Sequence, residues 1–217
     1  MLTIIARTLF WIVLWSGTVL IFWASSDYFT QSQVHAFLRE RPHLMVQDWW
    51  RYSVYVHVFS GCLCLGSSLL QYSGILLRRY PKWHKYLGYI YVLSLILAVI
   101  PSGLILSVFA KGGWIGKLGF CVLNFATLVT VLLGLNSILK KRLRAHQAWI
   151  TRSFGLVSSA ITFRLLLVVM VHFDVSIEIV YPACVWLSII LNALLVEVYL
   201  YTSNFAKHTK NVWKNSS

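Results

Sequence analysis

The chain has 217 residues, of which 59% are hydrophobic and 12% are charged. A soluble domain is roughly 45–50% apolar, so this composition excludes a water-soluble globular protein. The formal charge of +13 would suggest nucleic acid as a partner of a soluble chain, but membrane proteins collect Lys and Arg in their cytoplasmic loops. We therefore expect the lipid bilayer, and no nucleic acid, as its partner.

Six apolar runs are long enough to cross a hydrocarbon core of about 30 Å, which takes about 20 helical residues. They lie at about 8–25, 52–77, 87–110, 117–139, 147–172 and 180–203. Most connections between them are short, which favours antiparallel neighbours. We predict one all-α membrane domain, a polytopic bundle of six transmembrane helices that ends in a basic tail at 204–217. The longest connection, 26–50, is expected to lie at the membrane surface.

The distribution of basic residues predicts the orientation of the bundle. With the N-terminus inside, 13 Lys and Arg fall on the side of both termini and five fall on the other side. The five are Arg39, Arg41, Arg51, Lys111 and Lys117. Loops rich in Lys and Arg stay in the cytoplasm, so both termini are predicted to be cytoplasmic. Arg164 remains inside the fifth span.

A stripe of polar and small residues follows one face of the second predicted span. It begins at His57 and continues through Gly61, Cys64, Ser68 and Gln71, at spacings of four, three, four and three residues. These spacings place all five on one face of an α-helix. Small residues also line the packing seams of membrane helices, so the stripe is compatible with packing alone or with a site around His57.

Arg164 and His57 are the two costly ionisable groups in the outer half of the predicted bundle. Both lie roughly 8–12 Å from the outer ends of their spans at 1.5 Å per helical residue, so we predict that they line one site. His172 is a candidate second imidazole there. The alternative is a structural ion pair between Arg164 and an acid of the next loop, Asp174 or Glu178.

A second group of polar residues is expected at the cytoplasmic end. His84 opens the third span and His146 opens the fifth, and both spans start from the same face. Arg152 and Glu197 are predicted at similar depth and form a plausible buried ion pair. Gln71 completes the group. Two imidazoles at one level make this the more informative of the two groups.

The second to fifth spans carry a combination of motifs that resembles an uncharacterised bacterial membrane family, domain of unknown function family 2306 (DUF2306). The pattern joins a helix His, a Gln near the end of that helix, a P-x-x-H-x-x-x-G-x-x-Y turn, an H-x-x-W-x-x-R-S segment and a later membrane Arg. The matching positions are His57, Gln71, Pro81, His84, Gly88, Tyr91, His146, Trp149, Arg152, Ser153 and Arg164.

This resemblance implies the membrane architecture and a bacterial inner membrane, and it names no reaction. The family commonly has Arg after the turn His and after the Gly, where this chain has Lys85 and Tyr89. Lys lacks the Arg fork, so these changes weaken any interpretation of the turn as a bidentate anion site.

Three functions remain open from the sequence. The leading hypothesis is a b-type haem or quinone-linked redox protein, with His84 and His146 as ligands of an inner haem and His57, with His172, at an outer site. The second is a proton- or anion-coupled transporter or accessory subunit that uses His57, Arg164, Arg152 and Glu197 and forms a homodimer or larger complex. The third is a structural or assembly protein.

Conventional catalytic signatures are missing from the sequence. It has no HExxH motif, nucleophile elbow, P-loop or dinucleotide fingerprint. We therefore expect no metal other than haem iron, and the catalytic residues are left unassigned.

Overall fold

The computed structural model describes residues 2–30, 42–170, 172–173 and 175–215. Every regular element in these ranges is helical, and six helices are long and apolar enough to cross a membrane. The prediction of an all-α bundle with six spans is therefore confirmed. Asp174 and residues 31–41 of the connection at 26–50 lie outside the described residues.

The helices follow one another with short breaks. They are α1 Leu2–Thr30, α2 Pro42–Met45, α3 Asp48–Gln71, α4 Gly74–Arg79, α5 Pro81–Ser94, α6 Ile100–Val108, α7 Gly113–Leu139, α8 Leu143–Met170 and α9 Ile177–Asn215. A π-helical turn, Leu95–Val99, joins α5 to α6, so that Pro81–Val108 forms one membrane span. The last helix continues from its span into the basic tail.

The break between the second and third spans comes from turn chemistry. The apolar run predicted to continue to residue 77 is interrupted because Ser73 caps α4, its side chain accepting a hydrogen bond from the Leu76 N–H at 3.3 Å. Pro81 then occupies the start of α5, where a missing N–H has no cost. The short helix α4 therefore lies between two long spans.

The bundle has two ends. One end, which we call the terminal face, carries the start of α1, the connections at 72–80 and 140–142, and the end of the last span. The other end, which we call the distal face, carries the opposite ends of the spans. Helix α3 packs against α1, α5, the π-helical turn and α6. Helix α8 packs mainly against α7 and α9. The two groups meet where α6 contacts α7 and where α8 contacts α1 and α3.

Small and polar residues allow α8 and α9 to approach closely. A Cβ on Gly155 would lie 2.3 Å from a methyl carbon of Val196, so no larger residue fits there. Asn192 Nδ2 donates to Thr162 Oγ1 across the same contact at 2.8 Å. In lipid the hydrophobic effect contributes little to the association of helices, so close packing and such hydrogen bonds hold α8 against α9.

Candidate functional site

A cavity of about 480 Å³ extends from the distal face to the middle of the bundle. Its walls come from α1, α3, the π-helical turn and helices α6 to α9. Most of the lining is aliphatic or aromatic, with Val54, Leu106, Phe120 and Phe163 as examples. The size and apolar character are those of a small-molecule site, which typically has a volume of roughly 300–1,000 Å³.

His57 and Arg164 both line this cavity. The structure therefore brings together the two residues that sequence reasoning had placed at one depth. His172 is exposed on the distal face, where its Nδ1 lies 2.7 Å from the Val168 carbonyl oxygen, and it is not among the lining residues. The outer group consists of one histidine and one arginine.

His57 projects from α3 against the span that contains the π-helical turn. Its Nδ1 lies 3.1 Å from the Val99 carbonyl oxygen and 3.2 Å from Ser102 Oγ. A carbonyl oxygen only accepts hydrogen bonds, so this contact assigns the proton to Nδ1. The neutral ring then has Nε2 as an acceptor for the O–H group of a ligand.

The backbone beside His57 departs from α-helical geometry. The Ile100 N–H bonds to the Leu95 carbonyl, five residues back, and Pro101 supplies no N–H at all. Ser102 Oγ donates to the carbonyls of Ala98 and Val99. A π-helical turn inside an α-helix often marks a functional position, and here it presents the Val99 carbonyl to His57.

Gly103 permits three helices to meet at the cavity wall. A Cβ at this position would lie 2.5 Å from Asn124 Oδ1 and 3.1 Å from His57 Cε1. Asn124 Nδ2 donates to the Phe120 carbonyl at 2.8 Å, which holds the amide in place on α7. Sequence reasoning did not identify Asn124 or Gly103, although Pro101 and Gly103 interrupt an apolar span and were a usable signal.

Arg164 lies on α8 six residues before the helix ends. Its Nη1 donates to the Ala160 carbonyl at 2.8 Å. The ion pairs recorded among the described residues join Asp48 to Arg51 and Arg152 to Glu197, so Arg164 is in neither. The structural ion pair with Glu178 that the sequence left open is therefore not formed. The guanidinium remains a permanent positive charge beside an apolar cavity.

Tyr28, just beyond the first span, lines the same cavity. Burial raises the pKa of Tyr28 to about 12, and the positive charge of Arg164 partly opposes this effect. The phenol therefore keeps its proton at neutral pH. Tyr28 adds a polar group near Arg164 that sequence reasoning did not identify.

His84 and His146, which the sequence predicts at the cytoplasmic end, lie at the terminal face and are close enough to interact electrostatically. His146 Nδ1 lies 2.9 Å from the Gly134 carbonyl, which leaves Nε2 as the free ring nitrogen. His84 Nδ1 is enclosed and has no hydrogen-bond partner among the described residues. Gln71 Nε2 donates to the His84 carbonyl at 2.6 Å, so Gln71 fixes the start of α5 to the end of α3.

Arg152 and Glu197 form the ion pair that was expected from the sequence, but the pair is not buried, since the side chain of Glu197 is 55% exposed. Arg152 Nε and Nη2 donate to the two carboxylate oxygens at 2.6 and 2.9 Å. The Trp149 ring lies 4.7 Å from the guanidinium carbon. The pair joins α8 to α9 in the terminal half of the bundle, and neither residue is among those that line the cavity.

The fold and the cavity define a class: a multispanning α-helical membrane protein with a ligand-sized, mainly apolar cavity in its distal half. A family model described as "Predicted membrane protein (DUF2306)" matches residues 54–200, about two thirds of the chain. The chain belongs to this family. No curated protein and no solved structure matches it.

Several family-motif residues contact one another in the structure. Tyr91 Oη and Ser153 Oγ are both buried and lie 2.7 Å apart. A Cβ on Gly88 would lie 3.3 Å from Gln71 Nε2. These motif positions therefore join α5 to α3 and α8 at the terminal half, whereas His57 and Arg164 face the cavity.

Proposed function

We propose that the distal cavity binds a lipid-soluble molecule of the quinone type, and that the protein takes part in quinone-linked redox chemistry. The observation that carries this proposal is the placement of His57 and Arg164 on one apolar cavity of about 480 Å³. An apolar wall suits the ring and the isoprenoid chain, and a few convergent polar groups suit the two ring oxygens.

The two polar residues would have complementary roles. Nε2 of His57 accepts the O–H of a quinol, because its Nδ1 is held by the Val99 carbonyl. The free N–H groups of Arg164 donate to a ring oxygen and stabilise negative charge that develops on it. His57 thus acts as proton acceptor and Arg164 as the group that orients the ligand.

Binding of a short-chain quinone analogue to the purified protein, measured by titration calorimetry in detergent, tests the proposal. We expect His57→Ala and Arg164→Gln each to weaken binding at least tenfold. The affinity of Arg164→Lys should lie between those of the wild type and Arg164→Gln, because lysine keeps the charge but lacks the forked guanidinium of arginine. His172→Ala is the matched control, since His172 lies outside the cavity. Equal affinities for the wild type and all of these variants would contradict the quinone proposal.

A haem at the terminal face would complete such a redox protein. The imidazoles of His84 and His146 support this extension. They interact electrostatically, and the Gly134 carbonyl holds Nδ1 of His146, which would leave Nε2 to bind the haem iron. When bound, haem b would supply one-electron chemistry. A reduced-minus-oxidised spectrum should show a haem signal that is lost in His84→Ala and His146→Ala and kept in His172→Ala. Colourless protein from cells supplied with haem would contradict this extension.

A second function, handling of a lipophilic anion, is favoured by one observation. Arg164 forms no ion pair with a carboxylate among the described residues, and a cation that lines an apolar cavity attracts an anion. The proton or anion path would then involve His57 and Arg164, with the Arg152–Glu197 pair outside it. Binding of a fatty-acid carboxylate, with no binding of the neutral quinone, would select this function over the first.

We place the protein in a bacterial cytoplasmic membrane with its terminal face inside. The excess of Lys and Arg on the terminal side supports the orientation, and family membership supports a location in a membrane. In this orientation the distal cavity opens toward the outer leaflet, from which a lipid-soluble ligand would enter.

A further inference from the structure

The Arg152–Glu197 ion pair is only partly covered by the chain that contains it. The side chain of Glu197 is 55% exposed and that of Arg152 is 29% exposed, although both residues lie inside membrane-spanning segments. Lipid tails cannot hydrogen-bond to a carboxylate, so ionised groups in membrane spans usually face protein or water. This exposure indicates that another molecule covers the pair.

Glu197 belongs to a regular stripe on the outside of α9. The stripe consists of Leu187, Ile190, Leu194, Glu197 and Tyr201, at spacings of three, four, three and four residues. All five are exposed. Alternating spacings of three and four are those of the contact seam between helices that pack side by side with a left-handed crossing.

Apolar exposure alone does not select this face, because Leu195 and Val198 of the same helix are also exposed to a similar degree. The acid selects it. Glu197 is the charged residue of α9 between Glu178 and the end of the span, and it lies toward the terminal end of the stripe, where it pairs with a cation from α8.

We propose that a second copy of this chain packs against the α9 stripe, with the two α9 helices parallel and related by a two-fold axis along the membrane normal. Such an axis keeps each residue at its own depth, so the Arg152–Glu197 pairs of the two copies meet at the same level. The surface carries both signs of charge and is therefore self-complementary. The four charges then form a closed network that is shielded from lipid.

Oxidative cross-linking of cysteine variants in native membranes tests this interface. Leu194→Cys places a thiol on the stripe, and Leu195→Cys places one about 100° around the same helix at almost the same depth. Both keep Arg152 and Glu197 intact, and the four native cysteines are common to the wild type and both variants. We expect several-fold more cross-linked dimer from Leu194→Cys than from Leu195→Cys or the wild type.

Equal cross-linking of the two variants would overturn the proposal. A cross-linked product of Leu194→Cys that contains a different membrane protein would also overturn it. Light scattering on the wild type in lipid nanodiscs should give the mass of two chains, and a single chain would contradict the interface. The charge-exchanged variant Arg152→Glu with Glu197→Arg should keep the dimer, whereas Glu197→Gln should reduce its fraction.

Discussion

At the scale of single residues, the cavity depends on how closely His57, Asn124 and Gly103 approach one another. His57 is held by a carbonyl of the π-helical turn, and Asn124 is held by its own helix. Both reach the backbone of Gly103, where no Cβ is present. A glycine at this point therefore controls the polar side of the cavity without providing a polar group itself.

Replacement of Gly103 by alanine should disturb the polar side of the cavity. The new Cβ would lie 2.5 Å from Asn124 Oδ1, so the amide and the His57 ring must shift. Such overpacking costs about 1–3 kcal/mol. We expect a lower thermal midpoint in detergent and weaker quinone binding.

Gly61→Ala provides the matched control for this prediction. Gly61 also lines the cavity, but outside the adjoining residues and backbone of its own helix no atom lies within 4 Å of the Cβ it would gain. Alanine is the better helix former by up to about 1 kcal/mol, so its midpoint should stay equal or rise. Equal destabilisation by the two substitutions would contradict the close approach at Gly103.

At the scale of helices and turns, the connection between α7 and α8 contains Lys141 in a backbone conformation that residues other than glycine rarely adopt. Its φ is 57°, in the left-handed region. The Arg142 N–H bonds to the Ser137 carbonyl at 2.8 Å and the Lys141 N–H bonds to the Ile138 carbonyl at 2.9 Å. This is the Schellman arrangement, which most often has Gly where this chain has Lys141.

Lys141→Gly should stabilise the protein, because glycine adopts a positive φ without the Cβ penalty. We expect a gain of about 0.5–1 kcal/mol after the higher entropy of the unfolded glycine is included. Lys140→Gly removes the same charge at a φ of −83°, where glycine has no advantage, and should not stabilise. Thermal unfolding in one detergent compares them, and a stabilised Lys140→Gly would show that charge rather than backbone conformation is responsible.

At the scale of the whole molecule, the polar residues form separate groups at different depths. His57 and Arg164 belong to the distal cavity, and His84 and His146 belong to the terminal face. The second span connects the two groups, since it carries His57 near its middle and Gln71 at its terminal end. The protein can therefore hold two chemically different sites on opposite sides of one bundle.

The orientation of the bundle remains a prediction from its basic residues. A reporter that is active only in the cytoplasm should be active when fused after residue 217 and inactive when inserted at residue 112, in the distal turn. The opposite activities would reverse the orientation and place the cavity opening toward the cytoplasm. The fold itself would not change.

The sequence predicted the number of spans and the association of His57 with Arg164, because hydrophobic length and residue depth can be read from one chain. It did not predict the cavity, since an empty volume depends on how the side chains of seven elements pack together. The contact of Gly103 with Asn124 and the π-helical turn depend on packing in the same way. His172 was grouped with His57 because the two lie at similar depth in the sequence pattern. Depth does not show the direction of a side chain, and His172 does not line the cavity.

The central claim is that the distal cavity is a quinone-type ligand site, and photolabelling tests it most directly. A short-chain azidoquinone, photolysed with the wild-type protein and mapped by mass spectrometry, should label cavity-lining segments of α3, α6 and α8, and excess unlabelled quinone should suppress the label. Arg164→Gln should reduce the label at these segments. Label that is confined to lipid-facing residues such as Leu97 or Val168, or that resists competition, would contradict the claim.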